Sequence, residues 1–590
     1  MDRKADPRKP RKIQRTLQPT EPFFMKENST QNHSTGETYQ DIYRWGNKKS
    51  TEVDLGTLAF LEKRFSTQRE TQRKIGKMVS SQKTVEISPS KLLPEHKAFF
   101  ENLLGKENVK SSDFARANHS FGKFYTDLLF LRNAQVPFPP DVVLSPKNHQ
   151  EIESIVAYCN QHKIAILPFA GGSSVTRALE FPHGGVALDL KSRLNQIIEI
   201  NQTNHTVTAQ SGILGPDLEA ALNKEGYTCG HFPQSFEFST LGGWVAAKGA
   251  GQCSTGYGRA EELLVSLKAV TPIGTFEGKD FPSAVQGFDL KHLFVGSEGT
   301  LGVITEVTWK IFKHRPQNTQ KSSFIFKDFF SSTAAMREMI QNEIGKPHLF
   351  RISDGKETDF AFSHLGFQGT WKDKLLSTLG YKSPQRCTMV MTVEGESTYG
   401  KSVMGNMKKI ARKHGGFPSG EEPINKWLKQ RFDSPYLRDG LMEEGYMIDT
   451  LETAVTWDNL HGLWQAIHRY FETNPKVYGM SHISHVYPNG CNIYAIFISP
   501  MKDEPLENTL KEFHAFQQGI IQTFVENKGS ISHHHGVGRM GAEFMSGQFP
   551  KEGFSMMQGI KDLFDPSGIM NPGGNMLGLK DRFGSEDSKS

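Results

Sequence analysis

The sequence predicts an α+β chain of several domains, and three observations carry that prediction. At 590 residues the chain is too long for a single hydrophobic core, so two or more domains are expected. From Pro139 a strand, a helix and a second strand follow in turn and then give way to a run of strands, an order of α+β rather than of doubly wound elements. Farther on, a strand at Thr388 to Val393 and an amphipathic helix at Lys401 to Lys413 announce a second mixed α/β region.

Taken in order, residues 1–50 read as a basic, disordered tail. The first 16 hold seven Arg or Lys against two Asp and few apolar residues. Composition alone favours a solvated leader. The sharper reading is a tether to anionic lipid, at ~1 kcal/mol per basic residue near the surface. Residues 51–134 form a mostly helical segment, with Leu58 to Phe65 as an element that packs on the body. Residues 135–312 form the first α+β domain. Val142 to Leu144 is a strand, and Ser145 and Pro146 predict an N-cap and a first helical position. Ile152, Ile155, Val156 and Cys159 follow as an apolar helix stripe. Ile164 to Pro168, Val186 to Leu190, Ile197 to Ile200 and Thr206 to Gln210 read as strands. Gly215-Pro216-Asp217 starts a helix with Leu218, Ala221 and Leu222 on one face. Residues 313–528 form the second domain. Its helix at Lys401 to Lys413 presents Val403, Met407, Ile410 and Ala411, Gly415-Gly416 stops that helix, and Ile493 to Phe497 is a strand. Residues 529–590 form the C-terminal segment.

Composition excludes several classes. With 37% hydrophobic and 23% charged residues the chain is ordinary for a globular protein, and a net charge of +5 over this length gives no footprint for nucleic acid. The five cysteines, Cys159, Cys229, Cys253, Cys387 and Cys491, are scattered without metal-ligand spacing, so no zinc site and no disulfide framework are expected. The apolar runs fall short of the ~20 residues of a spanning helix.

Four segments suggest a ligand approached closely by backbone. After the strand at Ile164 comes Ala170-Gly171-Gly172-Ser173-Ser174, whose glycines permit φ > 0 and whose N–H groups can form an anion nest. One Gly-Gly pair alone would be an ordinary turn. His231 to Gly251 is crowded with small residues, among them Ser239, Thr240, Gly242 and Gly243, which tight helix packing would also use. Gly296-Ser297-Glu298-Gly299-Thr300-Leu301-Gly302 precedes a strand with alternation at Val303, Thr305, Val307 and Trp309. The last is Asp565 to Gly573. No G-x-G-x-x-G sits between strand and helix and no GKS or GKT loop occurs, so the nicotinamide and ATP signatures are both missing.

In this order the segments resemble the FAD-binding flavoenzyme superfamily typified by vanillyl-alcohol oxidase. That resemblance implies an FAD domain of two α+β subdomains, here residues 135–312, with an inserted cap domain, here 313–528, and a C-terminal return to the FAD domain, here 529–590. PFAGGSS would be the pyrophosphate loop, and GSEGTLGVIT and DPSGIMNPG the other landmarks. The chain is more similar still to the alkyldihydroxyacetonephosphate synthase family, over about Tyr39 to Leu577. HFPQSFEFSTLGGW, PYLRD, NGCNIY and SISHHHGVG are the most specific pieces. The resemblance implies contacts to FAD from Pro168, Ala170, Gly171, Gly172, Ser173, Ser174, Ser239, Thr240, Gly242, Gly243, Glu298, Gly299, Gly302 and Ile304. The loop lacks the histidine that covalently linked members often carry, so the FAD is expected to be non-covalent.

The reaction the resemblance implies exchanges the acyl group of acyl-dihydroxyacetone phosphate for a long-chain fatty alcohol, giving an ether with no net redox work. It demands a base, an acid, cations for a phosphate and an apolar channel. His533, His534 and His535 are the acid–base candidates, since imidazole titrates nearest neutral pH. Three adjacent histidines cannot all point one way, so one or two are expected in the site. A surface histidine run or an adventitious metal site is the plainer account of the triplet. Tyr494, on a strand, resembles the family's catalytic tyrosine; a lone strand tyrosine is otherwise a core residue with its hydroxyl satisfied. Arg438 in PYLRD would pair with an anionic substrate group, Arg351 in FRISD resembles a second arginine near the substrate, and His231 would line the pocket beside the flavin.

The rival reading on the same fold is an FAD-linked dehydrogenase or oxidase of a 2-hydroxy acid, and a third is a catalytically dead scaffold. The histidine triplet with NGCNIY and PYLRD favours the synthase. A peripheral membrane contact and a homodimer are both open as partners. Eukaryotic relatives of this kind are peroxisomal, yet the C-terminal Ser588-Lys589-Ser590 lacks the terminal leucine of the usual address, and Pro19-Thr20 stand where a leader opening at Lys12-Ile13 would carry its His-Leu pair. A cytosolic protein touching a membrane is the other expectation.

Overall fold

The computed structural model describes residues 42, 44, 45, 52–76 and 86–577, all within the unit Tyr39–Ser590. Most of the basic tail, the candidate leader positions and Ser588 to Ser590 lie outside the described residues.

Helix α1 (Leu55–Phe65) starts where the Asp54 side chain accepts from the Thr57 N–H. Its buried Leu58 and Leu61 pack on Tyr446, Met480 and Ile496, which belong to the second half of the chain. A four-stranded sheet follows, made of β1 (Val109–Lys110), β2 (Val142–Leu144), β3 (Ile166–Phe169) and β4 (Val186–Asp189) in the order β1-β2-β4-β3. Strands β2, β4 and β3 run parallel and β1 is an antiparallel edge. Parallel strands of one sheet need a crossover, and α2 (His149–His162) supplies the one from β2 to β3, its stripe Ile152, Ile155, Val156 and Cys159 buried against the sheet. The helix begins later than Ser145-Pro146 suggests. The Ser145 hydroxyl turns to Asp189, keeping the chain extended, and the Asn148 side chain caps the helix by accepting from the Glu151 N–H at 2.9 Å.

A second sheet is antiparallel throughout. It contains β5 (Ile197–Asn201), β6 (Thr206–Gln210), β7 (Leu264–Thr271), β8 (Gly274–Glu277) and β9 (Val303–Lys310) in the order β8-β7-β9-β6-β5. Alternate residues Val207 and Ala209, with Val307 and Trp309, form one apolar face. Helices α3 (Gly215–Lys224) and α4 (Leu241–Ala246) cover it through Leu218, Leu222, Trp244 and Val245.

The largest sheet has eight strands: β10 (Gln320–Phe326), β11 (Leu349–Ser353), β12 (Cys387–Val393), β13 (Phe417–Gly420), β14 (Tyr446–Thr456), β15 (Tyr478–Ile483), β16 (Val486–Tyr487) and β17 (Gly490–Pro500). Their order is β13-β10-β12-β11-β15-β17-β14, with β16 paired to β17, and every pairing is antiparallel. One face carries Ile352, Met389, Met391, Ile493, Ala495 and Phe497 into the main core. That core is closed by α5 (Phe329–Gln341), α6 (Ser397–Lys413), α8 (Leu460–Glu472) and α9 (Leu506–Glu526). Between α6 and α8 in the chain lies α7 (Ser434–Glu443). The opposite face of the sheet is left for a cavity.

The chain then returns to the first sheet through α10 (Lys551–Phe564). The Ile166 N–H donates to the Ile569 carbonyl and the Asn571 N–H to the Ile166 carbonyl, both at 2.8 Å, so Ile569 to Asn571 extends the sheet beside β3. The Lys561 ammonium, almost wholly buried, donates at 2.6 Å to Asp565 and to the carbonyls of Thr300 and Met570. All five cysteines are buried and free. No helix among the described residues is long and apolar enough to cross a membrane.

Candidate active site

A cavity of about 690 Å³ lies between the glycine loop after β3, the segment around α4, the loop before β9 and the free face of the eight-stranded sheet. Its first wall contains Pro168, Ala170, Gly171, Gly172, Ser173, Ser174, Ser239, Thr240, Gly242, Gly243, Glu298, Gly299, Gly302 and Ile304, all the positions expected at the cofactor. The small residues there serve two ends. A Cβ on Gly171 would overlap the Phe238 carbonyl oxygen, so glycine lets two wall segments touch. A Cβ on Gly243 would meet only the Thr240 hydroxyl, so this position keeps the wall flat toward open space. His231 lines the same region with both ring nitrogens buried and unpartnered. Burial and the nearby Arg259 cation push its pKa down to about 3, leaving a neutral ring with one donor and one acceptor for a ligand. A flat wall with an orphaned polar pair suits a polar, planar cofactor such as flavin. Asp565 to Gly573 do not line the cavity; they clamp the sheet beside it.

The second wall is set by strand register. Tyr494 on β17 stands opposite Glu452 on β14 and His482 on β15. The next row toward the same side is Thr450, Ile496 and Met480. The Tyr494 hydroxyl bonds Thr450 Oγ1 at 3.0 Å, and its ring stacks on His482 with centroids 4.5 Å apart. Burial pushes the phenol up to about 12, so Tyr494 keeps its proton at neutral pH. Leu349, Phe360, Phe362, Leu365, Leu437 and Ile448 give the cavity an apolar side.

Glu452, only 2% exposed, organises the histidine triplet. Its carboxylate accepts from the backbone N–H groups of His533, His534 and His535 at 2.6, 3.1 and 3.0 Å and from the Ser532 hydroxyl at 2.6 Å. Burial opposes its ionisation, but the histidine rings, His534 first, outweigh burial and hold it well below the usual range. His534 and His535 line the cavity; His533 does not and sits behind them. Burial, then His534, pushes His535 down to about 3, and burial with Arg351 brings His482 to about 4, so both are neutral at pH 7. The chain leaves the triplet through Gly536 and Gly538 at φ 91° and 55°. Glu298 accepts from the N–H groups of Val537 and Gly538 at 2.8 and 2.9 Å, tying this turn to the first wall. Its carboxylate oxygens are thereby engaged by protein, although its side chain borders the cavity. His485, His533 and His534 bring a nitrogen each within 4.8 Å of one another. Hydrogen bonds account for that grouping, since His485 Nδ1 meets the Ser254 hydroxyl and both His533 nitrogens are engaged.

The two arginines differ. Arg438 on α7 borders the cavity with Nε and one Nη buried and unpartnered, while its other Nη donates to the Lys123 carbonyl. The Asp439 carboxylate is 3.8 Å from Nε, beyond hydrogen-bond reach. The guanidinium lies 5.3 Å from the Trp45 ring centre. A buried, half-satisfied cation of this kind calls for an anion. Arg351 also borders the cavity, but it donates to Glu357 at 2.7 Å and faces His482 Nδ1 at 3.0 Å. Its charge is paired with Glu357 inside the protein, and it orients His482.

Glu452, Thr450, Asp449 and His482 were not legible as site residues. Asp449 borders the cavity with one unpartnered oxygen, and burial, against the pull of Arg438, pushes it up to about 7. No short motif marks these positions. What joins them is cross-strand pairing over β14, β15 and β17, although the histidines of SHISHVY ahead of NGCNIY were a usable hint.

The FAD binding domain model matches residues 140–277, and the model of the C-terminal domain of FAD linked oxidases matches residues 315–574. The chain is 31% identical to the alkyldihydroxyacetonephosphate synthase of Dictyostelium discoideum over 516 residues, covering 83% of this chain and 82% of that protein. It is 32% identical to the synthase of Caenorhabditis elegans, over 79% of this chain and 81% of that protein. A solved alkyldihydroxyacetonephosphate synthase superposes with a TM-score of 0.74 at 27% identity, covering 90% of this chain and 99% of the other.

Proposed function

Because this chain belongs to the alkyldihydroxyacetonephosphate synthase family of FAD-dependent enzymes, we propose that it exchanges the acyl group of acyl-dihydroxyacetone phosphate for a long-chain fatty alcohol. The observation that carries the proposal is the meeting, in one cavity, of a cofactor wall, an under-satisfied Arg438, protonated Tyr494, the triplet members His534 and His535, and an apolar side. The loop at 170–174, the start of α4 and the segment 297–304 would hold FAD non-covalently. Bound FAD supplies the reactive isoalloxazine chemistry of the exchange, with no net oxidation or reduction.

The remaining work falls to the chain. Arg438 holds the phosphate through its two free N–H directions. His534 or the neutral His535 accepts the proton released from the carbon that bears the ester, and Tyr494 donates at the departing oxygen. Glu452 keeps the histidines in place by fixing their backbone. The apolar side receives the acyl and alkyl chains in turn and excludes water, which would otherwise compete with the alcohol. Exposed Trp371, Leu375 and Leu379 lie close in the chain to Leu365, which borders the cavity, and this supports substrate entry from a membrane surface. Residues 135–312 and 313–528 are proposed as the cofactor and cap domains.

The test is Arg438→Ala. A hydrogen bond to a charged group contributes ~1.5–3 kcal/mol, so kcat/KM for the phosphorylated substrate should fall roughly ten- to over a hundredfold. FAD content, read from the flavin spectrum, should be unchanged. Normal kinetics would remove Arg438 from the site.

A further inference from the structure

We propose that His533 and Tyr487 form a proton relay joining the cavity-facing His534 to solvent. The inference rests on the reaction proposed above, which needs protons to leave and re-enter a cavity filled by lipid chains. His533 does not reach the cavity, yet both its ring nitrogens are engaged in line. Its Nδ1 lies 2.9 Å from Nδ1 of His534, and its Nε2 lies 2.7 Å from the Tyr487 hydroxyl. Two imidazole nitrogens at that distance must share a proton, because two lone pairs would repel. With Nδ1 turned to His533 and to Glu452 Oε2, 3.3 Å away, Nε2 is the His534 nitrogen left to the cavity that this ring borders. At the other end Tyr487 is half-buried and precedes the exposed turn Pro488-Asn489.

The groups facing the relay hold it in place. Glu452 on β14 binds the backbone of both histidines, and Arg259 donates to the His533 carbonyl at 2.7 Å. The His485 ring packs 5.1 Å from His533, His535 follows in the chain, and Glu261 and Glu262 stand toward the Tyr487 end. The transfer balances. His534 gains a proton at Nε2 and gives its Nδ1 proton to His533 Nδ1. His533 gives its Nε2 proton to the Tyr487 oxygen, whose own proton passes to water. One proton enters and one leaves, both rings exchange tautomers, and the reverse passage later in the cycle resets them.

Tyr487→Phe removes only the hydroxyl. Its FAD content and KM should match the parent, while kcat in dilute non-transferring buffer falls roughly tenfold, less than the ~10²–10⁴-fold that a direct acid or base contributes. Added imidazole should restore it by carrying the proton instead. His533→Gln is the second variant, and the same loss and rescue are expected should Tyr487→Phe fold poorly. Nuclear magnetic resonance of ring-¹⁵N-histidine protein gives a readout independent of turnover: loss of the Tyr487 hydroxyl should shift His533 Nε2 and, through the shared proton, Nδ1 of His534. Unchanged kcat in both variants, or a loss that imidazole does not restore, overturns the relay. Should the parent make no ether, the proposed reaction fails on its own account. The ¹⁵N signals then decide the hydrogen-bonded chain, and an unshifted His533 Nε2 overturns it.

Discussion

Tyr494 and Glu452 occupy one cross-strand pair and do opposite work. Tyr494 offers a proton that burial keeps on its oxygen, whereas Glu452 stays ionised and anchors the backbone of three histidines. Tyr494→Phe deletes one hydroxyl, which hydrogen-bonds Thr450. Packing and flavin binding should survive, and ether synthesis should drop at least ~100-fold; steady-state rates with flavin content check this, and near-normal turnover would take Tyr494 out of the proton transfers. Arg438, Tyr494 and the triplet were singled out in the sequence through the family resemblance carried by PYLRD, NGCNIY and SISHHHGVG. Glu452 was not, because its meaning is spatial: it lies 80 residues before Ser532 along the chain and meets it only once β14 is paired and the return segment is laid against it.

At the scale of elements, the glycine loop after β3 does two things at once. Gly171 brings the loop against the Phe238 carbonyl, and Gly172 takes φ 63°, a conformation that side chains resist. Gly171→Ala should therefore push the loop away from Ser239 and lower FAD occupancy without unfolding the sheet, whose strand β3 is paired on both sides. The ratio of flavin to protein absorbance measures this, together with the melting temperature of the apoprotein. Full flavin content in the variant would mean that the loop is not a cofactor wall. Strands such as Val142–Leu144 and Thr206–Gln210 were readable end to end, because continuous or alternating apolar patterns bounded by polar turns specify them. The start of α2 was misread because Ser145-Pro146 imitates a helix entry while Ser145 is held by Asp189. The eight-stranded sheet was only partly readable. Its strand order depends on contacts far apart in sequence, as between Ser353 and His482, which periodicity cannot reveal.

For the molecule as a whole, burial of neutral histidines sets the response to acid. His231, His482 and His535 have pKa values pushed down to about 3, 4 and 3, and burial also depresses His485 and His533. Below the ordinary histidine value the unfolded chain binds these protons and the fold does not, so stability falls as pH drops through that range. Glu298 and Asp449, at about 7, and Asp127, at about 8, act in the opposite sense, since the fold keeps protons that the unfolded chain releases. With His149, His183, His348 and His461 also depressed and Asp217 and Asp359 also raised, nine depressed histidines among the described residues stand against five raised carboxyls, and the melting temperature should be lower at about pH 5 than at about pH 6.5; a rise on acidification would contradict the burial pattern. The central claim is the exchange itself, and its most direct measurement supplies acyl-dihydroxyacetone phosphate and a labelled long-chain alcohol to the flavin-loaded protein. The account predicts labelled ether and free fatty acid in equal amounts, with the flavin unbleached by a 2-hydroxy acid under anaerobic conditions. Absence of ether together with bleaching by the hydroxy acid would contradict it and make the protein a dehydrogenase on the same fold.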